Sequence, residues 1–240
     1  MSTVSAPSVS HPGVSPSQAP TLSIEDLEVR FPGLDQPALA IAAFTAKGGE
    51  QIAVTGPSGC GKTTLINMLT GLEGAKHGRI LWQDVDLGKL SESGRDRWRA
   101  ENIGLVMQDF HLFAGLSAID NVMLPVRLRQ LRLPSGIRAE AERLLGRVGI
   151  ARFDQSVETM SRGQMQRVAV ARALVARPGI VVADEPTASL DPEAGAAVAD
   201  LLMELCAEAG ATLIVASHDR RFVERLGRIV RLDGGRLVSS

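Results

Sequence analysis

The chain has 240 residues, 45% apolar and 22% charged, a size and balance that fit one α/β domain with an inserted lobe and exclude a wholly disordered or membrane-embedded protein. Its 26 Lys and Arg against 27 Asp and Glu leave a formal charge of -1, which provides no broad attraction to nucleic acid or to an anionic lipid surface. Two cysteines in unrelated contexts, Cys60 and Cys206, form neither a CxxC pair nor a disulfide framework, as expected of a reducing compartment.

Residues 1–20 are rich in Ser, Pro and Ala and carry no Asp, Glu, Lys or Arg, so they are expected to be a disordered tail. They lack the basic start and apolar run of a secretory signal, and no later run reaches the ~20 apolar residues of a membrane span, which points to the cytoplasm. From Leu22 the pattern alternates in LSIEDLEVRF and again in ALAIAAFTA, with a turn at Pro32-Gly33. This predicts an antiparallel edge leading into a strand that ends at Thr55. Leu65, Met68, Leu69 and Leu72 then fall on one helical face, stopped by Gly71 and Gly74. Between about Asp109 and Met160 arginine becomes frequent, Pro125 and Pro134 punctuate, and Ile137 to Val148 reads as a charged amphipathic helix, together an inserted helical lobe. The strand GIVVA, a helix from Pro192 to Ala209, the strand TLIVAS and a hairpin at Gly234-Gly235 close the chain.

Gly56-Pro57-Ser58-Gly59-Cys60-Gly61-Lys62-Thr63-Thr64 satisfies GxxxxGK[ST] between a strand and a helix, the context this phosphate-binding motif requires. Glycines let successive N–H groups curl around an anion, and the helix start adds positive charge. Lys62 then reaches the β- and γ-phosphates, and the Thr63 hydroxyl can ligate Mg²⁺. The chain has only four lysines, so placing one here is informative. Asp184 and Glu185 end an apolar strand and would face the same nest, Asp184 holding Mg²⁺ through water and Glu185 polarising an attacking water. The lesser alternative for Asp184 taken alone is a helix cap.

A third segment, TMSRGQMQRVAVARAL from Thr159 to Leu174, resembles the signature of ATP-binding cassette ATPases, usually LSGGQ. The glycine loop, Gln108 in VMQDF, Ser161-Arg162-Gly163-Gln164, Asp184-Glu185, Ser189-Leu190-Asp191 and His218 follow one another in that family's order. The resemblance covers roughly Leu22 to the C-terminus and implies a P-loop NTPase core with an N-terminal antiparallel β-subdomain and an α-helical lobe at about residues 109–165. It implies an ATPase that binds ATP and Mg²⁺ and works as two head-to-tail copies. Ser161, Gly163 and Gln164 of one copy would then meet the γ-phosphate held by the other. Gln108 would sense Mg²⁺ and water, His218 would contact the γ-phosphate, Asp191 would cap a helix and report across the dimer, and Phe31 would stack on adenine, unless it simply packs in the core.

Arg162 stands where the family usually has Gly; it could add positive charge near phosphate or weaken closure, and the favoured expectation is that it points away from nucleotide. Met160 replaces Leu at conserved apolar volume. Cys60, inside the nest, is expected to be a reactive thiol that ATP shields from alkylation. Cys206 and Trp82 are expected to be inert packing. The stretch Leu81 to Leu124 most resembles the lipoprotein-release and macrolide-export subunits, peripheral on the cytoplasmic face of the membrane. That resemblance places a permease coupling helix near Asp109 to Pro125, with Phe110, Leu112, Phe113 and Leu116 as its groove or, equally, as lobe core. Rival readings are a cell-division type ATPase, a nucleotide-binding module of low turnover and a small-molecule phosphotransferase.

Overall fold

The computed structural model describes residues 19–130 and 132–238; the tail expected over residues 1–20 lies outside these except for Ala19 and Pro20. Strands β1 (Leu22–Val29), β2 (Leu39–Ala46), β4 (His77–Trp82) and β5 (Val85–Asp86) form an antiparallel sheet in the order β2-β1-β4-β5. A second sheet has the order β10-β9-β3-β8-β7-β6 and is parallel except for its edge strand β10 (Arg236–Val238). Its other members are β3 (Gln51–Thr55), β6 (Ile103–Val106), β7 (Ile180–Asp184), β8 (Thr212–Ala216) and β9 (Arg228–Asp233).

Strands β3, β7 and β8 are buried on both faces, as β-branched runs such as Ile180-Val181-Val182 require, whereas β9 leaves one face exposed. Alternate residues serve two cores. Ile52, Val54, Ile180, Val182 and Ile214 pack under the antiparallel sheet and α1 (Lys62–Leu69). Ala53, Val181, Ala183, Leu213 and Val215 face α5 (Arg162–Leu174) and α6 (Pro192–Ala209). Trp82 lies in the first core, 1% exposed, with its indole N–H donating to the Leu69 carbonyl at 2.9 Å, so its expected packing role holds.

Helix α6 begins and ends where expected because Asp191 accepts from the Glu193 and Ala194 N–H groups, Pro192 opens the helix, and Gly210 closes it in the left-handed region. Two expectations need correction. Leu72 is not on the buried face of α1: the helix ends at Leu69 and Leu72 is exposed. Pro125 does not punctuate the lobe, because it sits inside α3 (Ala118–Arg129), whose burial of Ile119, Val122, Met123 and Val126 offsets the one helical hydrogen bond a proline removes. Helices α3, α4 (Ile137–Arg147) and α5 pack together beside the parallel sheet. Helix α2 (Glu92–Asn102) buries no residue fully; its Arg95 and Arg99 donate to the Gly71 carbonyl behind α1. The short α7 (Arg220–Arg225) precedes β9.

Candidate functional site

The carboxyl ends of β3, β6, β7 and β8 open into one cleft of about 760 Å³, the size of an ordinary small-molecule site and the place where parallel sheets receive ligands. The glycine loop forms its floor. Gly56, Gly59 and Gly61 have φ of 153°, 77° and 107°, and only the absence of a side chain permits the curl at Gly56 and Gly61. A Cβ on Gly56 would stand 2.1 Å from the Leu232 carbonyl oxygen, and one on Gly61 2.7 Å from that of Ala38. Helix α1 starts at Gly61 with no side-chain cap and no acidic residue in its first turn, so its free N–H groups serve the cleft. Lys62 Nζ lies at the same floor, donating to the carbonyls of Gly56 at 2.9 Å and Pro57 at 3.2 Å. Pro57, Ser58, Thr63 and Thr64 complete the lining around the loop.

Cys60 departs from expectation. Its side chain is 6% exposed, belongs to the core beneath the loop with Leu65 and Ile66, and its Sγ lies where a Cβ on Gly56 would be only 2.7 Å away. Only its backbone belongs to the nest, so a thiol shielded by nucleotide is not what the fold provides. Cys206 is fully buried, and burial pushes its thiol up to about 12, as an inert packing residue requires.

Asp184 and Glu185 reach the cleft by different means. Asp184 ends β7 and is buried; that burial raises its pKa, opposed by the Thr63 hydroxyl and Lys62 and reinforced by the charge of Glu185. It caps no helix. Glu185 follows with φ of 43°, a left-handed conformation that costs a non-glycine residue on the order of 1 kcal/mol and turns its carboxylate into the cleft. Oε2 accepts from Ser217 Oγ at 3.1 Å, and Oε1 lies 3.0 Å from Nδ1 of the exposed His218 ring. Gln108, two residues after β6, and Phe31 at the mouth also line the cleft. Phe31 is 38% exposed, which removes the core-packing alternative.

Ser161, Gly163 and Gln164 are not in this cleft. They form the N-terminus of α5, where a capping box closes: Ser161 Oγ accepts from the Gln164 N–H at 3.2 Å and Gln164 Oε1 from the Ser161 N–H at 2.9 Å. Arg162 donates through Nε to the Ser189 carbonyl at 3.1 Å.

Several positioning groups escape sequence reasoning because their partners are remote in the chain. Ser217 holds Glu185; the only signal was its place beside His218 at the end of an apolar strand. Buried Asn121 brackets the loop after Gln108, accepting from the Phe113 N–H at 2.7 Å and donating to its carbonyl at 3.2 Å. Arg172 donates to the carbonyls of Phe110 and His111, both residues with left-handed backbone. Thr187 donates to Asp219 at 2.8 Å, tying the loop after Glu185 to the start of α7.

A glycine-rich anion nest at a helix start, a buried aspartate and a carboxylate aimed at the same space define a P-loop nucleoside triphosphatase. The family described as ABC transporter matches residues 39–188. The lipoprotein-releasing system ATP-binding protein LolD of Idiomarina loihiensis is 38% identical over 193 residues, 80% of this chain and 84% of that protein. The phosphonates import ATP-binding protein PhnC of Frankia casuarinae is 41% identical over 224 residues, 88% of each chain. A solved dimeric ATP-binding cassette in a post-hydrolysis state, bound to ADP and Pi, superposes with a TM-score of 0.81 at 31% identity over 91% of this chain and 97% of that one. The chain belongs to the ABC transporter family, and it is an ATP-binding and ATP-hydrolysing subunit. Among the described residues no helix is long and apolar enough to cross a membrane.

Proposed function

We propose that residues 21–240, with a helical lobe over about 109–165, form the ATPase domain of a lipoprotein-release type transporter, acting as a head-to-tail homodimer on permease subunits at the cytoplasmic face of the membrane. The observation that carries this reading is the separation of its two half-sites. The cleft holds the glycine loop, Asp184, Glu185, Gln108 and His218, whereas Ser161, Gly163 and Gln164 lie outside its lining. A second copy turned head to tail brings its own α5 start, with free N–H groups and helix dipole, against the γ-phosphate. The relatives named for lipoprotein release and the dimeric cassette support the assignment.

In this reading Gly56 to Thr64 bind the phosphates and Phe31 stacks on adenine. Glu185, set by Ser217 and His218, accepts the proton of the attacking water, and Gln108 and His218 orient water and γ-phosphate. The residues fit Mg²⁺: Thr63, Gln108 and Asp184 each offer an oxygen ligand, and among the described residues no cationic side chain is bonded to the buried carboxylate of Asp184. When bound with ATP, Mg²⁺ neutralises charge on the β- and γ-phosphates.

Asp184 also makes folding stability depend on pH. Burial raises its folded pKa, so the stability it contributes is present at acid pH and lost as pH rises through that value. Above that value the ionised carboxylate costs stability. Asp184→Asn should therefore melt no lower than wild type without ligand, while losing the added thermal stabilisation by Mg²⁺ and ATP; differential scanning fluorimetry with and without both reads the two effects.

The groove expected for a coupling helix is narrower than four side chains. Phe110 is 7% exposed and Leu112 packs on the lobe core, which leaves Phe113, 57% exposed, and the edge of Leu116 for the permease. Steady-state ATP hydrolysis against protein concentration tests the dimer: a rate rising faster than linearly is expected, and a strictly proportional rate from the lowest concentration would show that one copy suffices.

A further inference from the structure

We propose that Arg162 is a positioning residue that latches the start of α5 to both loops flanking the cleft in its own subunit. Its Nε donates to the Ser189 carbonyl at 3.1 Å, and its guanidinium lies over the Phe110 ring, 5.1 Å from the centroid. Three segments meet there: the turn carrying Ser161 and Gly163, the loop from Glu185 to Asp191, and the loop after Gln108. Phe110 is a fixed anchor, since it is buried and its carbonyl accepts from Arg172 at 2.6 Å. Ser189 Oγ reaches the Gln108 carbonyl at 3.4 Å, which closes the circuit between the two loops.

Helix stability gives no reason for this arginine. A cation in the first turn faces the positive end of the helix dipole, so the residue is disfavoured there unless other contacts offset it. A long side chain with a planar cation makes both contacts at once; neither glycine nor a short polar residue does. The latch rests on the reading that ATP closes two copies. By holding Ser161 and Gly163 in one frame with Gln108 and Asp191, it presents the other copy's nucleotide with a surface already ordered, which lowers the cost of closure. ATP binding to the subunit's own glycine loop does not involve it.

The test uses full-length chain carrying Glu185→Gln, so that ATP persists, with dimerisation followed by analytical ultracentrifugation and ATP affinity measured on dilute monomer. Arg162→Gly should raise the dimer Kd roughly tenfold and leave monomer ATP affinity within about twofold. Arg162→Lys, which keeps a cation and a donor, should recover part of the loss. Phe110→Leu should weaken closure, and adding it to Arg162→Gly should cost little more, because the two act through one contact. Unchanged or tighter dimerisation of Arg162→Gly, or fully additive losses, would overturn the latch while leaving the dimer intact. No ATP-dependent dimer in Glu185→Gln protein with Arg162 present would overturn the dimer reading and the latch with it.

Discussion

Glu185→Gln should lower ATP turnover by about 10²- to 10⁴-fold while ATP binding stays near wild type. Glutamine keeps the shape of the side chain and can still accept from Ser217 and meet His218, the two groups 3.1 and 3.0 Å from the carboxylate. On the proposed role of Glu185 as base, it loses only the basicity needed to take a proton from water. Single-turnover hydrolysis alongside equilibrium ATP binding separates the two quantities. A turnover within a few-fold of wild type would place the base elsewhere. Ser217→Ala should produce a smaller loss in kcat with KM little changed, since it removes a group that orients the carboxylate and touches no phosphate.

The second large effect falls on the glycine loop, where two similar substitutions should behave differently. Gly59→Ala introduces a Cβ with nothing within 4 Å and carries only the strain of φ at 77°, about 1–2 kcal/mol. Gly56→Ala places its Cβ 2.1 Å from the Leu232 carbonyl and 2.7 Å from Cys60 Sγ, in backbone and packed core that cannot yield. The loop must open, the N–H groups lose their common focus, and ATP affinity should fall by at least about 100-fold, against less than about tenfold for Gly59→Ala. Equal losses from the two variants, measured by isothermal titration, would mean that the nest tolerates displacement of its first residue.

Local rules made much of this fold legible. The bounds of α6 follow from Asp191-Pro192 and Gly210, which act through their immediate neighbours, and the alternation of β1 and β2 follows from one buried face. Helix α2 gave no comparable signal because it buries no residue fully and therefore has no apolar stripe to show. Helix α3 was obscured by Pro125, whose local cost is outweighed by tertiary burial that no neighbour in sequence reveals.

The same division runs through the site. The glycine loop, Asp184 and Glu185 were readable because motif spacing and strand ends fix them. The direction of the Cys60 side chain depends on how the loop curls beneath Gly56, and the orientation of Glu185 depends on its left-handed backbone and on Ser217, 32 residues away. Arg162 reads in the sequence only as an unusual residue in the signature, because its partners Ser189 and Phe110 are remote in the chain.

The head-to-tail arrangement is the central claim, and a cross-link between distinct chains tests it most directly. Both native cysteines are buried, so Ser58→Cys in one preparation and Ser161→Cys in another supply the accessible thiols. Each variant carries Glu185→Gln, and a short bis-maleimide is added with or without ATP. The account predicts a cross-linked dimer in the mixture with ATP, joined through positions 58 and 161 by mass spectrometry, and little from either variant alone. A mixture that stays monomeric with ATP, or dimers that form equally in the single variants, would contradict it.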